Sequence, residues 1–207
     1  MTIAGASMRC SGILVFSEGN MKIYINEGIV IGHDRDEFVK RAAASFLYEK
    51  GDGDYERVYD FEIKRGAHGK PYFDAEGAPH FSVSDSGPLW VCAVSDQEVG
   101  IDIEEVKAKD YTDLAKRFFT EEEAEFVRLW GKDGFFLVWT RKEAYGKFKG
   151  TGLQEGLGNF CVVKNNAVAY WIGEGDDKAF FVDMDFGSDI ICVACTAEPE
   201  AAEVRLL

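Results

Sequence analysis

Two short stretches of the chain carry acids and bases at spacings suited to chemistry. In "VGIDIEEV", Val99 to Val106, strand geometry sends Asp102 and Glu104 to one face and Ile101 and Ile103 to the other. The isoleucines anchor such a strand in a core, so the two carboxylates converge at a fixed distance. That donor set suits a hard cation such as Mg²⁺, which takes oxygen ligands and keeps waters for substrate phosphates. In "WTRKEAYGK", Trp139 to Lys147, helical spacing puts Trp139, Glu143 and Lys147 on one face. If that helix packs on the strand, Glu143 becomes a third carboxylate for the metal, and Lys147 is aimed at a phosphate one turn away. Carboxylates for a metal, the metal for a pyrophosphate and a lysine for developing charge make a phosphoryl-transfer site.

Each stretch taken alone has a plainer reading. A DxE is the polar face of an edge strand, and Glu143 with Lys147 is an exposed i,i+4 pair worth about 0.3–0.5 kcal/mol. The two together outweigh those readings. Asp96 with Glu105-Val-Lys107 loosely mimics a D…ExK metal nuclease, the least favoured alternative.

The elements that must position these groups follow from periodicity and turn residues. "GILVF" and "MKIYI" flank Glu18-Gly19-Asn20 as a hairpin, and Asp36 to Lys50 reads as a helix stopped by Gly51. "VYDFEIK", "HFSVS", "LWVCAVS" and "VGIDIE" read as strands. Asp85-Ser86-Gly87-Pro88 breaks the second of these from the third, and Asp96-Gln97 lies before the last. "TEEEAEFVRLW" opens with Thr120 and Glu123 in capping-box register and ends at Gly131, and Asp133 caps the helix that carries Glu143. "FCVV", "AVAYWI", "KAFFVDMDF" and "DIICVACTA" close the chain as strands. The pattern predicts an α+β fold of two halves, residues 1–97 and 98–207, with the metal site in the second.

Composition narrows the function. The 207 residues carry a formal net charge of −14, which disfavours a nonspecific nucleic-acid binder, since such proteins neutralise phosphates with Lys and Arg. The five cysteines, at 10, 92, 161, 192 and 195, are scattered. Cys192 and Cys195 form a CxxC on a strand, where i and i+3 point to opposite faces, so buried thiols in a reducing cytosol are expected. The three histidines lack ligand spacing for zinc. The start lacks a charged region followed by an apolar one, and no apolar run reaches spanning length. A cytoplasmic monomer with no membrane or nucleic-acid partner is the expectation.

"VGIDIEEV", "RFFTEEEAEFV", "WTRKEAYGK" and "KGTGL", with "GKPYF" at 69–73 and "HFSVSDSG" at 80–87 upstream, resemble in order and spacing the Sfp-type 4′-phosphopantetheinyl transferases. The resemblance runs from about Gly69 to Leu153. It implies a pseudo-twofold α+β fold with CoA between the halves, and transfer of the phosphopantetheine arm to a serine of an acyl- or peptidyl-carrier protein with release of 3′,5′-ADP. By position it implies Asp102, Glu104 and Glu143 as ligands of Mg²⁺ or Mn²⁺. Lys147 is implied to contact the CoA phosphates and assist the leaving group, with Lys70 and Ser84 as further phosphate contacts. Glu143 or a water on the metal would take the serine proton. Lys142 belongs to the motif, on solvent or facing the carrier, and Arg141 and Lys149 would be local cations for an acidic carrier. Glu123 matches an acidic position of the family, and its capping-box register suffices to explain it.

Two features depart from the family. Asp85 follows Ser84 where a histidine is usual, and a carboxylate there repels a phosphate unless a cation intervenes. No basic run serves the 3′-phosphate; Arg41, with Lys40 or Arg35, is the nearest candidate. Asp85 supports a second alternative, a noncatalytic CoA- or carrier-binding protein of the same fold.

Overall fold

Alternation along the strands sorts the apolar residues into three cores, and these define the layers. The computed structural model describes residues 17–28, 34–152 and 156–207. Its first sheet runs β12-β1-β5-β4, and its second runs β6-β11-β10-β9. These strands are β1 (Ser17–Glu27), β4 (His80–Ser86), β5 (Leu89–Ser95), β6 (Val99–Glu105), β9 (Trp171–Ile172), β10 (Ala179–Asp185), β11 (Ile190–Thr196) and β12 (Glu200–Leu206). Two short ribbons, β2 (Ile63–Arg65) with β3 (Pro71–Phe73) and β7 (Val163–Lys164) with β8 (Ala167–Val168), flank the sheets.

The inner faces of the two sheets meet. Ile23, Val91 and Ala93 of the first pack with Ile101, Ile103 and Ala194 of the second. On the outer faces, Tyr24, Trp90 and Cys92 pack with Phe46 of α1 (Asp34–Glu49). Val193 and Cys195 pack with Phe135, Val138 and Ala144 of α3 (Glu121–Lys149). Helix, sheet, sheet and helix make a pseudo-twofold α+β architecture. Cys192 and Cys195 fall in different cores, as a strand requires. Cys92, Cys161, Cys192 and Cys195 are free thiols; Cys10 lies outside the described residues.

The seam between β4 and β6 is stitched by side chains rather than by a ladder. Ile101 N–H donates to Ser82 Oγ at 3.1 Å and Glu105 N–H to Ser86 Oγ at 2.9 Å, while Ser84 Oγ donates to Asp102 Oδ1 at 2.8 Å. On the other side of β6 the helix comes very close. A Cβ on Gly100 would sit 2.0 Å from Ala144 O and 2.4 Å from Phe148 N, so only glycine lets α3 lie on the strand here.

Several expected elements differ in detail. Glu18-Gly19-Asn20 lies inside β1, whose register with β12 shifts between Ser17 and Met21; residues 12–16 of the expected hairpin lie outside the described residues. Of "VYDFEIK", Val58 to Asp60 end a 3₁₀ turn over Tyr55–Asp60, and β2 starts only at Ile63. Gly131 (φ 61°, ψ −138°) is non-helical and divides α3 into two helical segments, where the first helix was expected to end. A short helix, α2 (Thr112–Phe118), precedes the Thr120 cap. β12 leaves the 98–207 segment to pair in parallel with β1. Among the described residues no helix is long and apolar enough to cross a membrane.

Candidate functional site

Asp102 is the centre of the site, and β6 determines where it points. Its neighbours Ile101 and Ile103 enter the inter-sheet core, so Asp102 and Glu104 face α3 and the β4 seam. Asp102 is 4% exposed. Its Oδ1 accepts from Lys147 Nζ at 2.8 Å and from Ser84 Oγ at 2.8 Å. Its Oδ2 is buried and has no partner among the described residues. Burial pushes the Asp102 pKa up, against the pull of Lys147 and Ser84.

Two further carboxylates border it. Glu104 Oε1 accepts from Trp139 Nε1 at 3.0 Å, so the aromatic on the Glu143 face of α3 holds the second acid of the strand. Burial and the charge of Asp102 raise the Glu104 pKa. Half-buried Glu143 is pushed up to about 7, first by burial and then by Asp102, with Glu104 adding to the rise and Lys147 opposing it. Both glutamates are thus raised in part by the charge of Asp102, and such repulsion is relieved by a cation.

Lys147 meets that need in the present arrangement. Its ammonium also donates to Ser84 Oγ at 2.8 Å and Val83 O at 3.3 Å, which makes it a partner of Asp102 across the seam rather than of Glu143 one turn below. Among the described residues no three His, Cys, Asp or Glu side chains form a ready metal cage. The donor chemistry nevertheless fits a hard divalent ion: oxygen ligands only, with one buried carboxylate oxygen of Asp102 left without a donor.

The C-terminal end of α3 shapes the adjoining cavity, of about 240 Å³, lined by Lys70, Ser82, Glu143, Gly146, Lys147 and Gly152. Gly150 closes the helix in the left-handed conformation (φ 70°), and its N–H bonds Gly146 O and Lys147 O. The chain then folds back so closely that a Cβ on Gly146 would lie 2.7 Å from Gly152 O. "YGKFKGTG" is thus a helix end that brings backbone against this cavity.

The remaining candidate residues are placed less uniformly. Lys70 lines the cavity, but its ammonium pairs with Glu98 and donates to Val99 O at 3.0 Å, tying the β2–β3 ribbon to the start of β6. Nothing in the local sequence marks Glu98 as its partner; the contact joins residues 28 apart. Asp85 lies on the α1 side of β4, opposite the face that carries Ser84, and pairs with Arg35 Nη2 at 2.9 Å. The expected repulsion at Asp85 is therefore met by a cation, from α1. Arg41 stacks over Phe38 at 5.3 Å on α1 and is not among the groups around Asp102.

Two expectations about α3 are corrected. Arg141 is no exposed docking cation: its side chain is 1% exposed and bonds Asp183 at 2.6 Å, because residue 141 falls on the buried face of the helix. Lys142 faces neither solvent nor a carrier. It is fully buried against Glu123 at 2.8 Å. The D…ExK nuclease site is also not assembled: Asp96 pairs with Lys50 before β6 begins, whereas Glu105 ends that strand, about 20 Å of extended chain away.

Comparison with known proteins finds similarity to one family. Residues 98–194 match the model of the 4′-phosphopantetheinyl transferase superfamily, a span containing Asp102, Glu104, Glu143 and Lys147. A 4′-phosphopantetheinyl transferase of Bacillus subtilis is 35% identical over 141 residues, covering 64% of this chain and 62% of the relative. The 4′-phosphopantetheinyl transferase psf-1 of Bacillus pumilus is 34% identical over 142 residues, 66% and 60% of the two chains. The 4′-phosphopantetheinyl transferase HetI of Nostoc is 38% identical over 104 residues, 46% and 42%. The matched region spans about 60% of the length of the first two relatives.

Proposed function

We propose that this chain, which is similar to the 4′-phosphopantetheinyl transferase superfamily over residues 98–194 and to curated transferases of that name, moves the phosphopantetheine arm of CoA to a serine of an acyl- or peptidyl-carrier protein. The observation that carries this reading is the buried cluster of Asp102, Ser84 and Lys147, bordered by Glu104 and Glu143 and opening on a cavity at the end of α3. Asp102, Glu104 and Glu143 are the residues that would hold a divalent cation, Mg²⁺ or Mn²⁺, whose charge when bound neutralises the CoA pyrophosphate.

The other roles belong to the chain itself. The serine oxygen forms a bond to the pantetheine-bearing phosphorus as the bond from that phosphorus to 3′,5′-ADP breaks. Glu143, half-buried at the cavity, takes the serine proton. Lys147 turns from Asp102 to the leaving phosphate and stabilises the charge that grows there. Ser84, already hydrogen-bonded to Lys147, helps fix the ammonium and is a further phosphate donor. Lys70 lines the same cavity and would meet a CoA phosphate by turning from Glu98. Arg35, held by Asp85, is better placed than Arg41 to answer the carboxylate that departs from the family pattern.

Mass spectrometry of apo-carrier proteins incubated with CoA, Mg²⁺ and this protein tests the proposal. A mass increase equal to one phosphopantetheine on the carrier serine is expected, and chelation of the metal should abolish it. CoA binding without transfer to any carrier would favour the noncatalytic alternative.

A further inference from the structure

Lys142 and Glu123 form a charged pair with no exposure to solvent on either side chain. Such burial is expensive unless every charge is matched and hydrogen-bonded. Here it is. Lys142 Nζ donates to Leu157 O at 2.5 Å, to Phe160 O at 2.5 Å and to Glu123 Oε1 at 2.8 Å, so its three protons are used. Its ammonium also lies 4.1 Å from the Phe160 ring centroid.

Glu123 is equally committed. One oxygen, Oε2, accepts from Thr120 N–H and Thr120 Oγ at 2.9 Å each; the first of these bonds and the donation of Glu123 N–H to Thr120 Oγ at 3.3 Å are the capping box. The other, Oε1, accepts from Val162 N–H at 2.8 Å. The cap therefore explains half of Glu123. The rest serves residues 157–162, which have no helix or strand of their own before β7.

That segment covers the helix face beside the cavity. Phe160 packs on Tyr145 with centroids 4.6 Å apart. Between Lys142, Tyr145 and Gly146 of the helix and Gly152, Leu157 and Phe160 remains a gap of only about 10 Å³, at the limit of holding one water. Gly146 and Gly152 in turn line the cavity with Lys147.

We propose that the Lys142–Glu123 pair is a positioning latch: it clamps residues 157–162 onto α3 and so holds the Gly146–Gly152 wall at the spacing that CoA phosphates need. The CoA part rests on the function proposed above; the clamp itself does not. Neither residue lines that cavity.

The test is the double variant Glu123→Gln with Lys142→Met, which removes both charges together and keeps a carbonyl acceptor at position 123. Replacing a buried pair by neutral groups of similar volume is often close to neutral for stability, so cooperative unfolding is retained. Hydrogen exchange at Val162 and over 157–160 should accelerate at least tenfold. The CoA dissociation constant should rise at least tenfold, while the single-turnover rate at saturating CoA falls less than threefold. Faster exchange with CoA affinity unchanged within twofold would overturn the positioning role and leave a merely structural tie; unchanged exchange would overturn the latch itself. Should the double variant not fold, wild-type protein supplies the same test: saturating CoA should slow exchange at Val162, and no protection overturns the proposal. If wild-type protein fails to bind CoA, it is the proposed function that fails, and exchange in the variant alone decides the latch.

Discussion

Lys147 holds the arrangement around Asp102 together and is at the same time the group asked to leave it. Bound to Asp102 Oδ1 and Ser84 Oγ, it neutralises a buried carboxylate. If it also stabilises charge that develops on a leaving phosphate, Lys147→Ala should reduce turnover by a factor of 10² or more while changing the CoA dissociation constant less than tenfold. Comparing single-turnover rates with calorimetric affinity measures this, and equal losses in both would mean a plain binding contact. Glu143 carries a pH signature in the metal-free protein. Its pKa rises from the ordinary 4.5 to about 7 on folding, so the native state holds an extra proton between those values. Its contribution to stability is full below pH 4.5 and is lost as pH rises through about 7. Melting temperature in chelator should therefore fall across that window, with a shallower fall in Glu143→Gln. A steeper or unchanged fall in the variant would assign the slope to other groups.

At the scale of elements, the site depends on how near α3 comes to β6. Gly100 permits the approach, and any Cβ there collides with the backbone at Ala144 and Phe148, which cannot yield as a side-chain tip can. Gly100→Ala should cost at least about 3 kcal/mol, at the upper end of overpacking effects, or prevent folding. A chemical-denaturation midpoint unchanged from wild type would show that the helix has another seat. The spacing also explains why Glu143 comes near Asp102 at all: β6 turns Gly100, Asp102 and Glu104 to the side where the helix lies and Val99, Ile101 and Ile103 to the inter-sheet core.

For the whole molecule, β12 joins what the chain order separates. It pairs with β1 over Met21↔Ala202 to Ile25↔Leu206, so the sheet that carries α1 is finished by the last residues. Removing residues 199–207 should abolish cooperative unfolding of both sheets together, since the inter-sheet core includes Met21, Ile23 and Ile25 of the strand thus exposed. Retention of a single wild-type-like transition would mean that β12 is dispensable. The net charge of −14 acts at the same scale. With Arg141 buried, fewer cations face a carrier than the sequence suggested. Carrier proteins being acidic partners in this proposal, moderate salt should leave carrier KM unchanged or lower it by screening repulsion. A steep rise of KM with salt would reveal a basic docking patch.

Much of the site could be read directly from the residues, because it depends on local periodicity. Period-two alternation put Asp102 and Glu104 on one face, period 3.6 aligned Trp139, Glu143 and Lys147, and Thr120 marked the start of the helix. The strands β4, β5, β6, β10 and β11 follow from the same signal, being long enough to alternate. Short elements are less well bounded: "VYDFEIK", "FCVV" and "AVAYWI" overlap β2, β7, β8 and β9, but each of these holds two or three residues, too few for a period to fix its ends. What tertiary structure alone decided is which charges meet. Arg35 with Asp85, Lys70 with Glu98 and Lys142 with Glu123 join residues 50, 28 and 19 positions apart. A lysine in a motif looks the same in sequence whether it faces a phosphate, as proposed for Lys147, or a carboxylate in the core, as Lys142 does. Burial separates them, and burial belongs to the packed chain, because it depends on what every other element places over the same face.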